Sequence, residues 1–223
     1  MKVLAIDTSS EHCSCALAIG AEVRHRIALA GQRHSQLLLP MVQSLLAEAG
    51  LALGALDGIA VAVGPGAFTG LRIGTAVAQG LAFGAGLPVR AVGSLEAIAW
   101  GVGRARVLVC TDARMGEVYW AAFEQRAGLP TAVSGPAVQP PATVPAPTGA
   151  GWCGAGNGWR VYGDVLDTAV GATVGERLSD AVVEARHVAT LAMATCPDGF
   201  ADPPEALVPV YVRDKVALTV AER

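Results

Sequence analysis

Residues 64–74, GPGAFTGLRIG, join a buried apolar run to a helical one, and glycines at such a junction serve one of two purposes. Gly64 and Gly66 permit a sharp turn and a close approach of backbone to ligand, and the N–H groups opening the next helix favour an anion. Alternatively, Gly66, Gly70, Gly74, Ala78, Ala82 and Gly86 recur every four residues as a stripe of small residues that lets a neighbouring element pack closely. No lysine follows the glycines, so the segment is not a Walker A loop, and its third glycine comes one residue late for GxGxxG. Asp7, Thr8 and Ser9 end the first apolar run. An aspartate at a strand end can hold Mg²⁺ through water while hydroxyls bond phosphate, or it can fold an Asx-type turn onto its own backbone. The residues expected at a weak or vestigial nucleotide cleft are therefore Asp7, Thr8, Ser9, Gly64, Gly66 and Thr69.

Other chemistry is poorly represented. His12, His25, His34 and His187 form no HExxH or HxxxH pair, and the neighbours His34 and Ser35 do not face each other on a helix. Nothing resembles a nucleophile triad. The five cysteines are odd in number and scattered, so no disulfide framework follows. Cys13 and Cys15 alternate along one strand and read as small buried residues, with no second pair at zinc spacing.

The elements that must position these residues follow from periodicity. Residues 2–6 read as a buried strand, 13–19 and 23–30 as its antiparallel continuation, and 35–50 as a helix with Ser35 as N-cap and Gly50 at its end. A strand over 57–63, a helix over 69–86, a strand over 89–92 and a helix capped by Ser94 complete the first half. The pattern then restarts: 107–114 repeats the apolar strand and terminal Asp of the opening, and 117–123 returns as 13–19 did. Aligning Asp112 with Asp7 makes the chain two related lobes, expected at 1–103 and 104–223. Beyond the repeat the signal fades: 136–151 reads as a Pro-rich surface loop, 155–158 as a tight turn, 180–195 as a helix capped by Ser179, and 207–212 as an extended piece free to pack back on the first lobe.

Composition bounds the function. Hydrophobic residues make up 52% and charged residues 16% of 223, so a large core forms and disorder is excluded. The net charge of −3, with scattered arginines, disfavours tight RNA binding by the chain alone. No signal peptide or membrane span is read, and a cytoplasmic location is expected.

LAIDTS at 4–9, HSQLLLP at 34–40, GPGAFTGLRIG, SLEA at 94–97, DARMGEVY at 112–119, GNG at 156–158 and PVYVR at 209–213 together resemble the bacterial TsaB family, also called YeaZ, over nearly the whole chain. The resemblance implies an α/β, duplicated actin-like (ribonuclease-H-like) fold with two lobes. It implies a part in forming threonylcarbamoyladenosine in ANN-decoding tRNAs, as the non-catalytic partner of a TsaD-type transferase joined by the ATPase TsaE. Self-pairing in isolation is implied, and tRNA is reached only through the complex. No cofactor is firmly implied, and weak ATP or ADP binding in the complex stays open. The catalytic relative carries two metal-binding histidines four residues apart where this chain has Ser94 and Ile98, and neither replaces an imidazole ligand. Leu37, Leu38, Leu39, Met41, Val42, Leu45 and Leu46 cover more than one face of the first helix, a surplus that with the second helix suggests a docking surface, placed at His34, Leu38, Met41, Val42, Leu45 and Ala78. The competing reading is a kinase-like or metal-dependent glycoprotease-like enzyme of the same fold acting alone.

Overall fold

The computed structural model describes residues 1–213. Strands β1 (Lys2–Asp7), β2 (His12–Ile19), β3 (Glu22–Leu29), β4 (Gly58–Gly64) and β5 (Val89–Gly93) form one sheet in the order β3-β2-β1-β4-β5. Strands β6 (Arg106–Asp112), β7 (Val118–Arg126), β8 (Leu129–Gln139), β9 (Trp152–Ala155) and β10 (Val174–Leu178) form the second, in the order β10-β9-β6-β7-β8. The two orders are the same topology. Each sheet has a three-stranded antiparallel meander, and its first strand also pairs in parallel with the fourth, which pairs in parallel with the fifth. Asp112 ends β6 as Asp7 ends β1, so the short sequence repeat marks a repeat of the whole strand plan.

Helices α1 (His34–Glu48), α2 (Phe68–Ala85), α3 (Ser94–Val102), α4 (Gly158–Val170) and α5 (Ala185–Thr195) build the remaining layers. Side chains alternate across β1: Leu4 and Ile6 join the cluster under α1 and α2, whereas Val3 and Ala5 join the cluster with α3 and α5. Both faces of this sheet are covered, which is why its strands read as continuous apolar runs. Val107 and Val109 of β6 enter the same α3–α5 cluster, while Leu108 and Cys110 face α4. The order of layers is thus α1/α2, first sheet, α3/α5, second sheet, α4. The central layer is exchanged between halves: α5 lies mainly on β1 and β2, and α3 reaches across to β6 and β8.

Several boundaries differ from the sequence reading. Helix α5 starts at Ala185, not near 180, because Ser14 of β2 accepts the Ala185 N–H at 2.9 Å and supplies the cap from another element. Ser94 is the first helical residue of α3, after a Gly93 N-cap, and α1 begins at His34 rather than after Ser35. Strand β8 runs through Pro136 to Gln139, into the expected loop. It lies at the sheet edge, where proline is tolerated, and its register shifts near that position. Among the described residues no helix is long and apolar enough to cross a membrane.

Candidate functional site: the interlobe cleft and the outward helical face

The glycine stripe of α2 is built for contact with the end of β1. A Cβ added to Gly66 would overlap the Ser9 carbonyl oxygen, one on Gly70 the Thr8 carbonyl oxygen, and one on Gly74 the Thr8 hydroxyl. The approach is fixed by polar bonds: the Thr8 hydroxyl donates to the Gly70 carbonyl at 2.7 Å, and the Ala67 N–H donates to the Ser9 carbonyl at 2.7 Å. An N–H at the helix entrance, which a phosphate cradle would offer to its ligand, is therefore spent on Ser9. Gly64 serves packing as well. Its φ of +121° is open to glycine alone, and a Cβ there would lie 2.6 Å from the Val210 carbonyl oxygen.

A cleft of about 930 Å³ opens between the two lobes. Ser9, Gly66 and Thr69 line it from the first lobe, and Asp112, Arg114 and Asn157 from the second. Asp7, Thr8 and Gly64, expected on the same wall, are buried beneath it: Asp7 is 0% and Thr8 1% exposed. That expectation is corrected, and the reason is the packing just described, which seats α2 on the β1–β2 turn.

Asp7 instead folds an Asx-type turn. Its Oδ1 accepts the Ser9 N–H at 3.0 Å and the Ser9 hydroxyl at 2.6 Å, and its Oδ2 has no partner. Burial pushes its pKa up to about 7, partly opposed by those two bonds. Its counterpart Asp112 behaves differently. Asp112 Oδ1 accepts the Arg114 N–H at 2.9 Å and the Tyr162 hydroxyl at 3.3 Å, its Oδ2 pairs with Arg114 at 3.2 Å, and its own N–H donates to Asn157 Oδ1 at 2.9 Å. The GNG turn thus supplies the side chain that fixes the end of β6. The β6–β7 turn is sharp: Arg114 and Met115 both have positive φ, at 62° and 57°.

Among the described residues no other reactive constellation accompanies the cleft. Burial pushes the Cys13 thiol up to about 11, with the Asp7 charge adding to it, and burial drives that of Cys110 upward as well, the reverse of an activated nucleophile. Among the described residues no three His, Cys, Asp or Glu side chains come together as a metal set. Ser94 and Ile98 line the cleft, and the Ser94 Oγ is buried without a partner.

Residues 207–213 pack back on the first lobe and also reach the second, a contact the sequence did not announce. The Val210 N–H donates to the Val63 carbonyl at 2.7 Å, and Gln79 Nε2 donates to the Leu207 carbonyl at 2.9 Å, so the segment lies along α2. Arg213 then reaches Glu117 of the second lobe at 2.5 Å. The PVYVR and DARMGEVY motifs therefore meet through an ion pair, which gives Glu117 a partner within the chain.

The expected docking residues are mostly internal. Leu38, Val42, Leu45 and Ala78 are at most 2% exposed and belong to the core under the first sheet. His34 is also buried; its Nε2 lies 3.0 Å from the Ser10 carbonyl and 3.3 Å from that of His12, so that nitrogen carries the proton and pins the β1–β2 turn. Met41 is half-buried against the same core. The outward surface consists of other residues: Leu39 at 41% exposure and Pro40 on α1, with Ala76, Gly80 and Phe83 (61%) on α2. No Asp, Glu, Lys or Arg occurs in residues 35–47 or 73–85, so the two helices carry charge only towards their ends, at Glu48 and Arg72.

Two sheets of identical topology around a shared helical layer define a two-lobed α/β protein of the actin-like, ribonuclease-H-like class. The family model described as TsaD, tRNA N6-adenosine threonylcarbamoyltransferase, matches residues 28–152. The Escherichia coli K12 protein named tRNA threonylcarbamoyladenosine biosynthesis protein TsaB is 37% identical over 97% of this chain and 96% of its own length. The Haemophilus influenzae protein of the same name is 44% identical over 54% of this chain and 52% of its own length. The solved structure of YeaZ from Pseudomonas aeruginosa superposes with a TM-score of 0.84 at 38% identity, covering 94% of this chain and 99% of that one. The chain belongs to the TsaB family of tRNA threonylcarbamoyladenosine biosynthesis proteins, within the wider group that the TsaD model describes.

Proposed function

We propose that this chain is a non-catalytic subunit in threonylcarbamoyladenosine formation on tRNA, pairing with a TsaD-type transferase through the outward face of α1 and α2. The uncharged face formed by Leu39, Ala76, Gly80 and Phe83 carries this reading. Depletion of charge with retained aromatic surface is the composition of an interface core, and small residues at Ala76 and Gly80 let a partner helix approach closely. The cleft supports a non-catalytic role from the other side. The positions that the family resemblance equates with the transferase's metal-binding histidines are Ser94 and Ile98, and a hydroxyl and a branched alkyl chain do not make a zinc or iron site.

In this reading the two lobes, divided near residue 103, form one body with a shared core. The TsaE-type ATPase joins the assembled complex, tRNA is engaged only there, and the isolated chain pairs with itself through the same face. The purified chain alone is expected to show neither ATP hydrolysis above background nor threonylcarbamoyladenosine formation when given threonylcarbamoyl-adenylate and tRNA. Substantial turnover by the chain alone, retained after rigorous purification and lost in Asn157→Ala, would contradict the proposal and favour an independent enzyme using the cleft.

A further inference from the structure

The outward face of α2 carries one formal charge, Arg72, and its side chain is fixed in place. The guanidinium carbon lies 3.9 Å from the centroid of Phe68 and 5.9 Å from that of Tyr211, and the two rings are 5.2 Å apart. The Arg72 Nε–H donates to the Tyr211 hydroxyl at 2.9 Å. Both rings are exposed, Phe68 at 37% and Tyr211 at 44%. Stacking and one hydrogen bond set the plane of the guanidinium, while its two terminal amino groups find no acceptor among the described residues.

The rest of the chain treats arginine differently. Among the described residues every arginine other than Arg33, Arg72 and Arg90 has a carboxylate within 4.0 Å. Arg72 stands on α2 in line with Ala76, Gly80 and Phe83, at the edge of the otherwise uncharged docking face. A protein covering that face would take Arg72 out of water, and a desolvated guanidinium without an acceptor is strongly unfavourable. We infer that Arg72 is the charged anchor of the docking face and receives a carboxylate side chain, Asp or Glu, from the partner protein. This rests on the reading of α1 and α2 as the docking surface.

A carboxylate of a protein suits the surroundings better than a phosphodiester. Arg114, Arg160 and Arg213, which line the neighbouring cleft, are each paired with carboxylates of this chain and leave no basic tract among the described residues for a nucleic-acid backbone. The apolar surface beside Arg72 is of the kind that meets protein.

Titration calorimetry of the purified TsaD-type subunit against wild type, Arg72→Ala, Arg72→Lys and Phe83→Asp tests the inference. Arg72→Ala is expected to weaken Kd by about tenfold or more. Arg72→Lys recovers only part of the loss, because an ammonium lacks the planar fork. Replacing the opposing carboxylate of the partner by its amide should reproduce the loss with no further loss in the double variant. If Phe83→Asp abolishes binding while Arg72→Ala stays within about twofold of wild type, the anchor is refuted and the docking face stands. Unchanged binding in both variants refutes both. Loss of tRNA binding by the free chain in Arg72→Ala, with the protein complex intact, overturns the carboxylate in favour of phosphate.

Discussion

Thr8 and Gly70 are locked to each other: the Thr8 hydroxyl donates to the Gly70 carbonyl at 2.7 Å, and the Thr8 carbonyl oxygen occupies the space a side chain at Gly70 would need. The contact seats α2 on the β1–β2 turn and turns a loop that reads like a phosphate cradle into a packing joint. Gly70→Ala is expected to cost about 1–3 kcal/mol or more, since both neighbours are backbone and neither yields cheaply. Gly80→Ala is the control. It has nothing within 4 Å, and replacing a helical glycine there should raise stability by up to about 1 kcal/mol. Urea unfolding of the two variants checks the contrast.

Asp7 makes stability depend on pH in an unusual direction for a carboxylate. Its folded pKa of about 7 lies above the ordinary 3.8. Between those values the folded chain keeps a proton that the unfolded chain has lost, so stability falls as pH rises through this window and levels off above it. Asp7→Asn should flatten the slope and stabilise the chain at pH 8, by about 4 kcal/mol at most. Burial lowers the pKa of His187, which works with the opposite sign, so the Asp7 contribution is read as the difference between variant and wild type from pH 4.5 to 8.

Buried and outward apolar residues of α1 and α2 should separate cleanly. Leu38→Asp and Leu45→Asp place a charge in a fully buried core and are expected to unfold the chain. Phe83→Asp changes a 61%-exposed position and should leave the melting temperature within a few degrees of wild type. Circular dichroism melts decide between them.

The first lobe was legible in sequence because its elements carry strong local signals. Continuous apolar runs mark β1 and β4, periodicity marks α1, and α2 closes on Gly86, with its φ of +66°, at the residue where the sequence reading ends that helix. Periodicity shows that Leu38, Val42 and Leu45 share one face of α1, but not that this is the face the sheet covers. Leu39, one residue along, is the outward one. In the second lobe, β9, α4 and β10 were missed because a four-residue strand and a helix kinked at Tyr162 are too short or irregular for a clear period. The start of α5 depends on Ser14, 171 residues away in sequence, and no local pattern encodes such a cap. At the site, a glycine stripe signals close packing without naming the neighbour, so the burial of Asp7 and Thr8 emerged only in three dimensions.

Arg213 should matter to the second lobe although it belongs to a segment lying on the first. Its pair with Glu117 is partly buried, with side-chain exposures of 15% and 31%. Arg213→Ala is expected to lower stability by about 1–2 kcal/mol and to speed hydrogen exchange in the turn around Arg114–Glu117. Exchange unchanged in that turn would mean that Arg213 does not brace it.

The most direct test of the account is reconstituted tRNA modification. The TsaD-type subunit, TsaE-type ATPase, threonylcarbamoyl-adenylate and an ANN-decoding tRNA are combined with wild-type chain or with Phe83→Asp, and threonylcarbamoyladenosine is quantified. The account predicts product with wild type, none with this chain as the sole protein, and loss of both complex and product with the folded Phe83→Asp variant. Product formed at the wild-type rate by Phe83→Asp, in a complex of undiminished affinity, would contradict it.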